Sequence, residues 1–371
     1  MKHLKYIIYL LFVAFVASSC RENDIIIYPT ENNVGDKLVS NYLGLYVLNE
    51  GNMGSNKATL DYLDLSTGVY SRNIYPSRNP NLIKELGDVG NDVQIYGNSL
   101  WMVINMSHKV EVADAKTAVS RGHVDIPNCR YLAFDGGFAY VSTYVGLPNS
   151  ESVLGAVYKV DTASLKVVDK CIVGYQPDEL VVNKGKLYVA NSGGYNGMKA
   201  IGYDNRVSVI DLKTFKVTNT IKVAPNLFRV RNDKYGRLWV SSRGDMKRIP
   251  SKLFIVENDV VVDSLDSRTD GFDFRGDSLI SYSGRGAKTK FKVIDIRTMK
   301  MVNDDFLKFP TDVPIKTAYG IIIHPATGDV YVMDATNYVS SGKIYCFDKD
   351  GNYKWHTLTG DIPGHACFLM K

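Results

Sequence analysis

The sequence predicts an all-β fold, a seven-bladed β-propeller of four-stranded antiparallel blades closed by the C-terminal strand, and three observations carry that expectation. An Asp-x-x-Thr/Ser turn recurs at Asp64-Thr67, Asp114-Thr117, Asp161-Ser164, Asp211-Thr214 and Asp295-Thr298, with 47 to 50 residues between consecutive copies except for one double gap. A fixed period of that length marks a repeat architecture. Glu257 fills the double gap as a degenerate copy and Asp348 supplies the last, which makes seven units. Each unit contains short Val-, Ile- and Tyr-rich runs cut by Asn, Gly and Asp, the pattern of antiparallel strands and turns.

One unit shows the four strands clearly. Leu180-Val181-Val182, Gly185 to Ala190, Arg206 to Asp211 and Lys216 to Ile221 read as successive strands. The second of these recurs at Leu45-Tyr46-Val47, Leu100 to Val103, Ala139-Tyr140-Val141, Leu238-Trp239-Val240, Leu279-Ile280-Ser281 and Val330-Tyr331-Val332. Innermost strands are expected near 92–95, 130–134, 179–182, 228–231, 271–274 and 319–324. No inner strand precedes Leu45, whereas Pro363 to Met370 follows a complete seventh unit. The tail is therefore expected to supply the missing inner strand of the first blade and to remove two open sheet edges.

The N-terminus has Lys2 and Lys5, an apolar run from Ile7 to Ala17, and Ser18-Ser19-Cys20. A basic start, a short apolar core and small residues describe a secretory signal, here residues 1–19, and the run is short for a membrane span. Small residues directly before a cysteine point to lipidation at Cys20; a cut elsewhere with Cys20 incidental is the alternative. Arg21 to Asp24 is a charged patch of the kind that sends lipoproteins to the cell surface, or an ordinary linker. Residues 20–41 lack the repeat and are expected as the lipidated cysteine and a flexible tether, with the propeller spanning 42–371. The expected location is the outer membrane, lipid-anchored and facing outward, with membrane contact through the lipid alone.

Composition narrows the function classes. The formal charge of +5 includes Lys2 and Lys5, so the processed chain is near +3 without the concentrated basic face of a nucleic-acid binder. The 24 tyrosines exceed the needs of most cores and suit recognition surfaces. His108, His123, His324, His356 and His365 show no metal-ligand spacing and no Cys-x-x-Cys exists, so neither a metal site nor a catalytic set is expected. Cys129, Cys171, Cys346 and Cys367 are expected as buried free thiols, because the pairs fall on strands too far apart to bridge.

Propeller topology instead gathers loops. The connections from second to third strand and from outer strand to the next inner strand open on one face around the axis. They carry the candidate ligand-binding residues Asn49, Asn52, Asn91, Asn105, Asn128, Tyr144, Gln176, Asn191, Tyr195, Asn226, Arg243, Arg285, Tyr319 and Tyr338. Amides donate and accept, Arg presents a fixed fork to carboxylate or phosphate, and Tyr stacks on conjugated rings. Asn, Gly and Ser also form turns in any propeller, but 144–155 and 191–205 are longer than hairpins require.

Three segments carry a family likeness: Leu48-Asn49-Glu50-Gly51-Asn52-Met53-Gly54-Ser55-Asn56, Leu86-Gly87-Asp88-Val89-Gly90-Asn91-Asp92-Val93 and Lys109-Val110-Glu111-Val112-Ala113-Asp114. They resemble the opening blades of exported YncE-like propeller lipoproteins, closest in kind to the BtuG type that captures vitamin B12. The resemblance implies a surface lipoprotein that binds cobalamin, or a related corrinoid, as a ligand rather than a cofactor. It further implies delivery to a TonB-dependent outer-membrane transporter of the BtuB type. A propeller scaffold of another uptake complex and an exported lactonase- or hydrolase-like enzyme are the competing readings.

Overall fold

The structure, a computed structural model, describes residues 29–82, 85–146, 153–197, 199 and 201–371. Cys20, the apolar run before it and residues 21–28 lie outside the described residues, and among those described no helix is long and apolar enough to cross a membrane. Seven antiparallel sheets form a ring of seven blades. Blade 2 runs from the inner strand Gly90–Tyr96 through Ser99–Ile104 and Lys109–Asp114 to the outer strand Ser120–Asp125, and the later blades repeat that order. Every inner strand expected from the sequence is present.

Blade 1 closes the ring. Its inner strand is Pro363–Met370, paired antiparallel with Tyr42–Asn49 through Leu45↔Phe368, Val47↔Ala366 and Leu48↔His365. The segment expected as a tether is not wholly free of the domain. Thr30–Asn33 adds a fifth strand to the outer strand Val69–Arg72, and the backbone N–H groups of Val34 and Leu38 donate to the carbonyls of Gly68 and Leu65 at 2.9 and 2.7 Å. The strand covers an edge that would otherwise be open.

The core lies between blades, because alternate residues of each strand point to opposite faces of its sheet. Leu100, Met102 and Ile104 pack back on Tyr46, Leu48 and Leu60 of blade 1. Trp101 and Val103, on the other face of the same strand, pack forward on Leu132, Ala139 and Val141 of blade 3. Seven such clusters each join two consecutive blades, and the one that joins blade 7 to blade 1 includes Tyr331, Met333, Leu45 and Val47.

The repeated turn explains its own sequence. In Asp114-Ala115-Lys116-Thr117 the aspartate Oδ1 accepts the N–H groups of Lys116 and Thr117 at 3.0 and 2.9 Å and the Thr117 hydroxyl at 3.0 Å. Asp211 does the same for Lys213 and Thr214. These bonds favour the carboxylate, so both acids lie below the usual range. The residue after each Thr or Ser takes the left-handed conformation, as at Gly68, Ala118, Leu165, Phe215 and Met299. Glu257 departs from the motif because blade 5 turns on Asn258 and Asp259, both left-handed, in a tighter hairpin.

Removing residues 363–371 is expected to abolish the cooperative melt, since it takes away one strand and opens blade 1; a truncated chain that melts normally would refute ring closure as the source of stability. A milder change, Leu369→Ala, is expected to cost about 2–5 kcal/mol in chemical denaturation, the usual range for a buried leucine.

Candidate ligand-binding site

The junctions between blades shape one face of the ring. The residue before several inner strands is left-handed: Val89, Asn128, Gln176, Asn226 and Ile362 all have φ between 47° and 61°. Asn tolerates this conformation better than most residues, which accounts for Asn128 and Asn226 at these positions. Many of the expected ligand amides therefore serve the fold. Asn49 is fully buried and donates to the Thr59 hydroxyl at 3.0 Å, while Asn191 accepts the Gly174 N–H and donates to Arg206 O and Ser208 Oγ. Gln176 Oε1 accepts the Tyr195 N–H at 2.7 Å and so sets the loop that carries Tyr195. Asn52 closes a turn by accepting the Ser55 N–H, and Asn226 donates its own N–H to Asp204 O. None of these five lines the axial cavity.

The other nine expected residues do converge. Asn91, Asn105, Asn128, Tyr144, Tyr195, Arg243, Arg285, Tyr319 and Tyr338 line a bowl of about 840 Å³ on the loop face. Three of the nine are amides already engaged: Asn105 donates to Asn128 Oδ1 and Cys129 O, Asn128 to Gly146 O, and Asn91 to Arg130 O. What they offer a ligand is limited.

Rings and cations dominate the bowl instead. Tyr144 and Tyr195 meet edge to face at 6.1 Å between centroids, as do Tyr319 and Tyr338 at 5.6 Å. The Arg243 guanidinium lies 3.5 Å from the Phe228 ring centroid and Arg285 5.4 Å from that of Tyr338. Among the described residues, seven cationic side chains line the bowl against two carboxylates, Glu50 and Asp270. Glu50 accepts the Tyr319 hydroxyl at 3.0 Å, and Asp270 is held by Arg268 and the Gly284 N–H. Arg243, Lys247, Arg248 and Arg285 have no carboxylate partner among the described residues. Lys247 and Arg248 are presented by a loop in which Asp245 Oδ1 accepts the N–H groups of Lys247, Arg248 and Ile249 at 2.9, 2.7 and 2.7 Å.

Sequence reasoning passed over Tyr131 and Arg229 of the inner strands and Tyr282 of a second strand, which form the floor together with Arg130 and His365. The alternation Phe228-Arg229-Val230-Arg231 was the available signal, since charges at alternate positions of an otherwise apolar strand require an axial partner or solvent. Arg229, Tyr282 and His365 also line a second axial cavity of about 670 Å³ on the opposite side, so the two spaces meet at these three residues.

Comparison with known proteins places this architecture. A family profile described as a domain of unknown function, DUF5074, matches residues 43–354. The chain belongs to the DUF5074 family. No curated protein shows significant sequence similarity to it. Among solved structures, a quinoprotein alcohol dehydrogenase-like protein from Bacteroides thetaiotaomicron superposes with a TM-score of 0.62 at 14% identity, over 88% of this chain and 78% of that one. Hydrazine synthase of Kuenenia stuttgartiensis gives 0.55 at 17% identity over 70% and 77%, and the computationally designed Ika8 protein 0.50 at 13% over 74% and 89%. At such identities the likeness shows the propeller fold alone.

The DUF5074 ring is stitched along its axis by carboxylates, two buried and one half-buried. Asp92 of blade 2 accepts the Leu132 N–H of blade 3, Glu179 of blade 4 the Val230 N–H of blade 5, and Asp273 of blade 6 the Ile323 N–H of blade 7, each at 2.9 Å. Burial pushes Asp92 and Asp273 above the usual carboxylate range. Burial also acts on Glu179, but Arg231 at 2.9 Å and Arg229 at 3.4 Å outweigh it and hold Glu179 below that range. Asp36, Asp329 and Cys346 lie close enough to suggest a cation site, yet the Lys354 ammonium already sits 2.6 Å from Asp36 and 3.0 Å from Asp329. Cys129, Cys171 and Cys346 are buried free thiols and Cys367 a half-buried one.

Replacing Glu179 by Gln leaves the buried Arg229 and the half-buried Arg231 without their carboxylate and is expected to destabilise the protein by about 3–5 kcal/mol. Because the folded pKa lies below the unfolded value, Glu179 stabilises the fold above about pH 4.3 and loses that contribution as pH falls through the folded value. Denaturation of Glu179→Gln across pH 3–7 should therefore show a shallower acid limb than the parent, and an unchanged limb would refute this assignment.

Proposed function

We propose that this propeller is a capture module that holds a corrinoid in the loop-face bowl and passes it to a TonB-dependent outer-membrane transporter. The observation that carries the reading is the pairing of aromatic rings with uncompensated guanidinium groups in a cavity of about 840 Å³. A corrinoid is a large, nearly planar macrocycle with amide arms and one phosphodiester. Tyr195, Tyr338 and Phe228 offer it ring faces and edges, and Arg243 and Arg285 offer donors to the carbonyl oxygens of its amide arms. The amides contribute less than their number suggests, because Asn49, Asn105 and Asn191 are engaged within the protein.

Binding rather than turnover is the reading favoured by the carboxylates. Glu50 is engaged by Tyr319, Asp270 by Arg268, and Asp178 by Arg130 and the Tyr144 hydroxyl at 2.7 Å. None is poised against a nucleophile. Delivery to a membrane partner draws support from the N-terminal strand. Thr30 pairs with Arg72, at the end of the outer strand that leads toward blade 2 and the loop face, whereas Asn33 pairs with Val69 at the opposite end. A lipid on Cys20 would thus tether the domain from the bowl side, through nine residues that reach at most about 30 Å.

Calorimetric titration of the lipid-free mature chain with cyanocobalamin is expected to give saturable one-to-one binding with a nanomolar Kd. Alanine at Arg243 or Arg285 is expected to weaken it by about 1–2 kcal/mol each, as for contacts near the centre of an interface. Silence at micromolar protein would discard the corrinoid, and unchanged affinity in both variants would move the ligand off this face.

A further inference from the structure

The floor of the bowl contains donors without acceptors. Arg229 is 6% exposed, and its guanidinium reaches a single carboxylate, Glu179, at 3.4 Å. That carboxylate is already taken: Arg231 donates to it at 2.9 and 3.1 Å, and the Val230 N–H at 2.9 Å. The Arg229 Nε is buried without a partner among the described residues. A guanidinium carries five N–H donors, so most of this one's capacity is unspent in a place where an unsatisfied charge is costly.

Two neighbours give the excess a direction. The Arg130 and Arg229 guanidinium groups both lie close to the Tyr131 ring, 5.8 and 5.3 Å from its centroid, and the Tyr131 hydroxyl makes no hydrogen bond to any described residue. All three line the bowl. Arg130 is held from behind by Asn91 Oδ1 at 2.6 Å and Asp178 at 3.3 Å, which fixes its plane before any ligand arrives. Two guanidinium groups and an unpartnered hydroxyl gathered about one ring can serve a tetrahedral oxyanion, whose several oxygens can meet donors from different directions.

We propose that the bowl floor is a phosphate subsite formed by Arg229, Arg130 and the Tyr131 hydroxyl, so that the captured molecule enters with a phosphate group leading toward the axis. This deepens the capture reading and rests on it only in taking the bowl as the ligand cavity. Arg229 anchors the anion, Tyr131 adds a neutral donor, and the rim cations Arg243 and Arg285 remain for the rest of the ligand.

The test is a calorimetric titration of the mature chain with inorganic phosphate and, separately, dimethyl phosphate, each against sodium chloride of equal ionic strength. Saturable binding beyond the chloride control is expected for at least one of the two, and the tighter one tells whether a monoester or a diester is preferred. Arg229→Gln is expected to weaken that binding by about tenfold or more, and Tyr131→Phe, which keeps the ring and its packing, by about threefold to tenfold. Should Arg229→Gln fail to fold, Tyr131→Phe alone decides. Undiminished binding in Tyr131→Phe, or no phosphate response beyond chloride at tens of millimolar, overturns the subsite. Cyanocobalamin binding without a phosphate response would sink the subsite and spare the capture reading; a phosphate response without cyanocobalamin binding would do the reverse.

Discussion

The pairing of Pro363–Met370 with Tyr42–Asn49 is the interaction on which the rest of the molecule depends. Each hydrophobic cluster belongs to two blades, so no blade buries both of its faces unless it has a neighbour on each side. In an open row the end blades would each leave one apolar face in water, together with an unpaired strand edge. Joining the last strand to the first blade removes both defects in one step. It also fixes the diameter of the axial space, because seven inner strands must now surround it.

That axial space is where burial and charge come into conflict. Inner strands approach one another across the axis, and their outward N–H groups would be left unsatisfied without a partner from the adjacent blade. Asp92, Glu179 and Asp273 supply those partners, one for every second blade. Introducing carboxylates into a buried axis then calls for cations, and Arg231 answers Glu179 closely. Arg229 answers it at arm's length, and that mismatch leaves positive charge at the floor of the bowl. The positive charge of the floor is thus a by-product of how the inner strands satisfy their backbone.

The fold was legible because its signals are local and repeated. The aspartate turn, the strand alternation and the missing first inner strand each follow from backbone hydrogen bonding and side-chain direction within a few residues. The site was legible only in part, for a physical reason. Asn49, Asn191 and Asn226 were read as ligand amides because loops converge on one face, but their side chains or backbone conformations are claimed by the turns themselves. A sequence shows that an amide lies in a loop and not whether its hydrogen bonds are already spent. Arg229 was passed over for the opposite reason: it sits in a strand, where a charge is easily taken as an exposed face. Tyr144, Tyr195, Arg243 and Arg285 were found because their residue types need no knowledge of register to be recognised.

The rim and the floor differ in how their cations are kept ready. Arg243 and Arg285 lie against Phe228 and Tyr338, which fix the guanidinium planes without neutralising them. A carboxylate in the same role would have to be displaced by the ligand, at the cost of breaking an ion pair. A ring face leaves every N–H donor available and removes rotamer freedom in advance, so less entropy is lost on binding. Arg130 is the contrasting case, tied to Asn91 and Asp178, and what it offers a ligand is position and field more than free donors. The bowl therefore combines a rigid charged wall with donors held open by aromatic contact, an arrangement that favours a ligand large enough to touch both at once.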